Sequence, residues 1–273
     1  MARLLLVRVG WGKLRFGKGV EIFFNEPRRR KGREGGEERE KFTFDRVVLY
    51  DRDIWEKKMS GLKTKLPTDI WVVATWEEFI AMADDPAYSK AKGYYRNGQM
   101  RIETMSVGPD HATDNTIISF AVNLFCTIKG TSLKGLTNCS YRKTGIRECQ
   151  PDVSYYIGSR AQLAPSGSSI ASLDLTPPPD LVIEVAASTL ADDIGEKRLL
   201  YEELKVAEYW VLDVQKSQII AFAIIADNGS RRIVQSEVLP GLTIAVLEEA
   251  LRRSRTEDQA QVGAWLLAQF QQQ

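Results

Sequence analysis

The sequence predicts an α/β fold, and three observations in its second half carry that reading. Two apolar, β-branched runs, Pro151–Ile157 and Pro179–Val185, have the composition and length of strands. A helical stretch at Asp192–Leu204 separates the second run from a further strand at Tyr209–Asp213. The near-continuous apolar character of Pro179–Val185 suits a strand covered on both faces.

Residues 1 to 58 differ in composition from the rest of the chain and are expected to be a poorly ordered or non-native extension. Pro27–Lys41 is almost all charge and glycine, which buries too little apolar surface to fold and reads as a linker or tail. The same contrast raises the expectation that the natural start is Met59. Order is expected from near Thr68. Thr75-Trp76-Glu77-Glu78 is a capping box that starts a short helix ending before Pro86. Tyr94–Arg96 and Gln99–Glu103 flank Asn97-Gly98, the signature of a two-residue hairpin turn. Asp110 is placed to cap a helix reaching Lys129, with Ile117, Ala121, Leu124 and Ile128 at helical spacing and Gly130 as its stop. Strands are expected at Leu136–Arg142 and Ile146–Cys149. Residues 158 to 179 form a long Ser/Pro/Gly-rich loop, a length usually reserved for functional or mobile segments. Ser188 or Thr189 can cap the helix over Asp192–Leu204. Ile219–Ile225, a turn at Asp227-Asn228-Gly229 and Arg232–Ser236 continue the strands. Two amphipathic stretches, 244 to 254 and 257 to 270, are expected to cover the sheet or contact a second subunit.

Composition excludes several classes. Lys plus Arg total 37 against 36 for Asp plus Glu, so no global field draws the chain to a polyanion. Any such site must be local. The apolar runs are too short for a membrane span, and Leu4–Val7 is too short for a signal-peptide core, so the cytoplasm is the expected location. Cys126, Cys139 and Cys149 form no CxxC pair and read as reduced thiols. A single histidine, His111, rules out multi-histidine zinc sites. Neither a GxxxxGK[ST] loop nor a GxGxxG fingerprint is present.

Chemistry concentrates on a few acids. Glu184 interrupts an apolar strand, where an ionised carboxylate is costly unless paired or coordinated. Asp152 opens the neighbouring strand. Two carboxylates with a lysine behind them suit Mg²⁺, which takes oxygen ligands and often only one or two carboxylates. Lys197 supplies the lysine. For it the plainer alternative is a surface ion pair with Asp193, four residues earlier. Glu103 is a candidate third acid, or else sits on a solvated face beside Arg101. His111 either leans over the site or decorates a helix end. Asp180, just before the Glu184 strand, is a further supporting acid. Arg142, Lys143 and Arg147 form a basic cluster that can receive phosphates, or is exposed hairpin charge.

With these residues in place, the chain resembles the Uma-two family of bacterial endonucleases, a branch of the PD-(D/E)XK nuclease superfamily. The resemblance rests on PDVSYYIG at 151 to 158, PPPDLVIEVAAST at 177 to 189, DDIGEKRLLYEEL at 192 to 204 and VAEYWVLDV at 206 to 214. It runs from about Tyr94 to Leu242. It implies a restriction-endonuclease-like fold, a central mixed β-sheet flanked by helices, over residues 59 to 242, with 243 to 273 as helices packing on that domain or on a partner subunit. It implies Asp152 and Glu184 as metal carboxylates and Lys197 as the catalytic lysine. The superfamily lysine ordinarily follows the acid by two residues, where this chain has Ala186. Many relatives carry a glutamate where this chain has Tyr94. The function implied is a Mg²⁺- or Mn²⁺-dependent endonuclease acting on DNA, with a homodimer as one arrangement for cutting both strands. The alternatives are a nuclease-fold protein that binds nucleic acid or a partner without cutting, and hydrolysis of another phosphoester.

Overall fold

The computed structural model describes residues 11–16, 20–25, 28–34, 37–43, 47–51, 67–225 and 229–272. The chain divides into two compact units, residues 1–66 and 67–273. In the first, β1 (Trp11–Phe16), β2 (Val20–Asn25) and β5 (Val47–Asp51) form an antiparallel sheet in the order β1-β2-β5. β3 (Arg28–Glu34) and β4 (Glu37–Thr43) form a separate antiparallel ribbon. Within the charged stretch read as a linker, the described residues 28–34 and 37–41 have strand geometry. The ribbon's register sets Lys31 opposite Glu40 and Arg33 opposite Glu38. Met59 and the Asp227-Asn228 turn lie outside the described residues.

The second unit holds two six-stranded mixed sheets and their helices. β6 (Val72–Val73) leads to α1 (Trp76–Ala83), opened by the reciprocal Thr75–Glu78 capping box. β7 (Lys92–Arg96) and β8 (Gln99–Glu103) form the hairpin, with Asn97 and Gly98 at φ 49° and 79° as a two-residue primed turn demands. α2 (Pro109–Lys129) comes next. Its N-cap is Gly108, so Asp110 lies inside the first turn instead of capping it, where its charge still suits the helix N-terminus. Gly130 closes α2 in the left-handed conformation.

The expected strand Leu136–Arg142 is two strands in two sheets: β9 (Leu133–Thr137) and β10 (Tyr141–Lys143). Asn138, at φ 51°, turns the chain between them. β11 (Arg147–Cys149), β12 (Val153–Ile157) and the short β13 (Ala171–Ser172) come after them. β14 (Leu181–Ala186) runs parallel to β15 (Glu208–Asp213), which pairs antiparallel with β16 (Gln218–Ile225), and that strand with β17 (Gly229–Ile233). One sheet runs β17-β16-β15-β14-β12-β9, the other β13-β10-β11-β7-β8-β6.

Between β14 and β15 lie α3 (Leu190–Asp192), a wide π turn over Asp193–Lys197, and α4 (Arg198–Leu204). Where the sequence predicts one regular helix, the structure bends at Gly195. Single π turns of this kind recur at functional sites. α5 (Ile244–Arg253) and α6 (Gln259–Gln272) complete the unit.

Alternation along β14 explains how the core divides. Leu181, Ile183 and Val185 face the cluster built with Ile117, Ala121 and Phe125 of α2, Leu247 and Leu251 of α5, and Leu266 and Phe270 of α6. Val182 and Ala186 face the cluster with Tyr201, Tyr209 and Tyr94. All six residues of β14 are buried. Each large apolar side chain so buried contributes about 1.5–3 kcal/mol. No helix among the described residues is long and apolar enough to cross a membrane.

Candidate active site

Glu184 shares the face of β14 that carries Val182 and Ala186, among tyrosines. Its Oε1 accepts a hydrogen bond from the Tyr201 hydroxyl (2.7 Å), and the Tyr94 hydroxyl, 2.9 Å from the Gln150 carbonyl oxygen, lies 3.3 Å from the same Oε1. These hydroxyls stay protonated, because burial and the neighbouring carboxylates hold both phenols well above their ordinary range. Among the described residues, no hydrogen bond reaches Glu184 Oε2. Burial raises the Glu184 carboxyl above the usual range; nearby Lys197 opposes that shift and Asp152 reinforces it.

Asp152 sits one residue before β12, which pairs with β14. Its Oδ2 accepts from the Val185 amide at 2.8 Å, and its Oδ1 lies 2.5 Å from Lys92 Nζ and 3.4 Å from His111 Nε2. Burial works against its charge, yet His111 and Lys92 together hold the carboxyl well below the usual range. Adjacent strands thus present two carboxylates whose affinities for a proton are pushed in opposite directions.

Lys197 is 2 % exposed. Its ammonium lies 2.9 Å from Glu103, 2.8 Å from Asp193 and 4.0 Å from Glu184, and 4.2 Å from the Tyr94 ring centroid. Burial opposes the charge on Lys197, but Glu184, Asp193 and Glu103 raise its pKa above the ordinary value. The i, i+4 pair with Asp193 that the spacing implies does form. It is not a surface pair, because the segment carrying it is buried against the β7–β8 hairpin and β14.

Glu103 also joins this site. Its carboxylate accepts from Arg101 (2.8 Å) as well as meeting Lys197, and Arg101 is buried at 2 % exposure, so this face of β8 is not solvated. The hairpin register places Lys92 opposite Glu103 and Tyr94 opposite Arg101, so alternation turns all four to one face. Lys92 and Tyr94 escape a reading made residue by residue; the two-residue turn that sets the register was their signal.

Asp152, Glu184, Lys197, Glu103, His111 and Lys92 line one cavity of about 180 Å³. A larger cavity of about 310 Å³ opens where Gly93 and Ile102 point, on the opposite face of the hairpin. The acid there, Glu148, is held by Arg142.

The other candidates lie elsewhere. Asp180 is at the far end of the β12–β14 pair, where its Oδ2 accepts from the Ile157 amide (2.8 Å) and its Oδ1 meets Arg160 (2.6 Å). It ties strand ends together and does not line the cavity. Arg142 and Arg147 flank the β10–β11 turn with Lys143. Arg147 grips Glu203 on α4 at 2.5 Å, and Arg142 pairs with Glu148, so neither guanidinium is an open phosphate receptor.

Comparison with known proteins gives a family profile and a similar solved structure. The profile of the family Uma2, described as "Putative restriction endonuclease", matches residues 76–259. A solved structure titled as a putative nuclease from Anabaena variabilis is similar at 16 % identity and a TM-score of 0.48, with 65 % of this chain and 98 % of that chain covered. No curated protein matches the chain. Because the profile spans more than half of the sequence and contains the cavity, the chain belongs to the family Uma2.

Proposed function

We propose that this protein is a divalent-metal-dependent endonuclease that hydrolyses phosphodiester bonds in DNA, with Asp152 and Glu184 as the metal carboxylates and Lys197 as the lysine of the site. The observation that carries this reading is the meeting of two buried carboxylates from paired strands with Lys92, His111 and Lys197 at one cavity.

The donor set fits Mg²⁺ or Mn²⁺. Among the described residues, no three His, Cys, Asp or Glu side chains cluster closely enough to hold a metal by themselves. A donor pair of carboxylate oxygens, from Asp152 and Glu184, differs from the Cys and His ligands of a structural zinc site. It suits a hard cation that uses one or two carboxylates and completes its shell with water and phosphate oxygens. When bound, such a cation neutralises charge on the scissile phosphate and acidifies water.

The chain's own residues prepare that chemistry. The Val185 amide holds Asp152 Oδ2 and turns Oδ1 into the cavity. Tyr201 holds Glu184 Oε1 and leaves Oε2 for a ligand. Lys197 offsets the charge of Glu103, Asp193 and Glu184, keeping the acids together in a buried site and stabilising charge that develops on the phosphate. Hydrolysis adds water across a P–O bond with in-line displacement of the leaving oxygen. Cutting both strands of a duplex would use two such sites, as in a homodimer.

Nicking of supercoiled plasmid with Mg²⁺ or Mn²⁺ tests the reading. Wild type should nick, and Asp152→Ala and Glu184→Ala should each lose the activity, while Lys197→Ala should lower it by about 10²–10³-fold. Wild type that is folded yet leaves plasmid intact under both metals would instead favour a nuclease-fold protein that binds without cutting.

A further inference from the structure

Asp152 presents one oxygen to the cavity, since Oδ2 is held by the Val185 amide, and that oxygen is already covered by a cation. Lys92 Nζ lies 2.5 Å from Oδ1, with His111 Nε2 at 3.4 Å. The two lysines differ in freedom. Lys197 is enclosed by Glu103, Asp193 and the Tyr94 ring and is 2 % exposed. Lys92 is 19 % exposed, and Asp152 is its one carboxylate partner among the described residues. It reaches Asp152 from β7, a strand of the other sheet.

We propose that Lys92 is a displaceable counter-ion: it holds Asp152 in the metal-free protein, yields Oδ1 to a divalent cation, and then carries its freed ammonium to a phosphate of the DNA. The proposal rests on Asp152 being a metal carboxylate. Without a cation, a carboxylate buried as Asp152 is would be left unpaired at high cost, so the folded chain needs a counter-ion there. A divalent cation on Oδ1 would compete with the Lys92 ammonium for that oxygen, because the two positive charges repel each other at such short range. The lysine stem is flexible and anchored at the cavity wall, and the nearest new anion in a loaded complex is the substrate phosphate. The exchange breaks no covalent bond and moves no proton.

Two binding measurements test this without relying on cleavage. The first titrates Mn²⁺, read by electron paramagnetic resonance, into wild type, Lys92→Met, Lys92→Gln, Asp152→Asn and Glu184→Gln, each checked for a cooperative thermal transition. The second follows binding of a short DNA duplex in Ca²⁺ by fluorescence anisotropy. The folded Lys92 variants should bind Mn²⁺ on the order of 5-fold or more tightly than wild type, because the competing cation is gone. Their affinity for the duplex should fall by a similar factor. Unchanged or weaker Mn²⁺ binding in the Lys92 variants, alongside loss of binding in Asp152→Asn, overturns the counter-ion role and leaves the metal site standing. Duplex binding that does not weaken in those variants overturns the phosphate contact. Wild-type Mn²⁺ binding retained in Asp152→Asn and Glu184→Gln removes the metal site and this proposal with it.

Discussion

Lys197 is surrounded by Glu103, Asp193 and Glu184, and the effect of removing it is set by what it leaves behind. Truncation to alanine leaves buried Asp193 and Glu184 without the ammonium beside them, while Glu103 keeps Arg101, a change that destabilises by about 3–5 kcal/mol. Urea unfolding of Lys197→Ala should show this loss, and adding Asp193→Ala should restore part of it, because fewer unpaired charges remain. A Lys197→Ala protein as stable as wild type would mean that the acids are solvated. Glu184→Gln behaves differently. Its amide oxygen can still accept from Tyr201, so the fold should persist while metal-dependent nicking disappears.

Two elements carry their own tests. Gly135 on β9 lies opposite Tyr155 of β12, and a Cβ there would come within 2.7 Å of the tyrosine ring. Tyr155 is buried and cannot move outward freely. Gly135→Ala should therefore cost about 1–3 kcal/mol as overpacking, read as a lower denaturant midpoint with an unchanged slope. The second test concerns α4, which is docked by Glu203 between Arg96 (2.7 Å) and Arg147 (2.5 Å). Partial burial works against the Glu203 charge, but the two guanidinium groups hold its carboxyl below the ordinary value of 4.5. A depressed carboxyl contributes stability above its unfolded pKa and loses it as pH falls through the folded value. The melting-temperature gap between wild type and Glu203→Gln should thus be widest near neutrality and should close as the pH drops below about 4.5. A gap that widens on acidification contradicts the clamp.

At the scale of the molecule, the family profile ends at residue 259, where α6 begins, yet α6 belongs to the core. Val262, Leu266 and Phe270 are fully buried beside α2, and Phe125 meets Phe270 edge to face at 5.2 Å. Arg255, in the link between α5 and α6, pairs with buried Asp114 of α2 at 2.6 Å. Removing residues 259–273 gives up three large apolar side chains at about 1.5–3 kcal/mol each, comparable with the whole stability of a domain. The shortened protein should lose its cooperative thermal transition and bind a hydrophobic dye. A sharp transition within a few degrees of wild type would show that α6 is dispensable.

Local chemistry in the sequence was enough for several elements and for the two acids that stand out, but not for the split of Leu136–Arg142 between two sheets or the bend at Gly195. Alternation and apolar runs mark β12, β14 and β15, the Thr75–Glu78 box marks α1, and Asn97-Gly98 marks the hairpin, because each depends on neighbours within a few residues. Glu184 was visible as a charge that an apolar strand cannot carry unaided. Tertiary structure decided what surrounds these groups. Lys92 meets Asp152 across 60 residues, and Tyr94 meets Glu184 across 90, distances that no helical or strand period encodes. The spacing of Asp193 and Lys197 correctly implies their pairing, but not their burial, which is set by the hairpin packed against them. Arg142 and Arg147 look free in sequence and are committed to Glu148 and Glu203 in the fold. Periodicity states which face of an element is apolar; only the packing of sheet, hairpin and helix states which charges are left facing the same cavity.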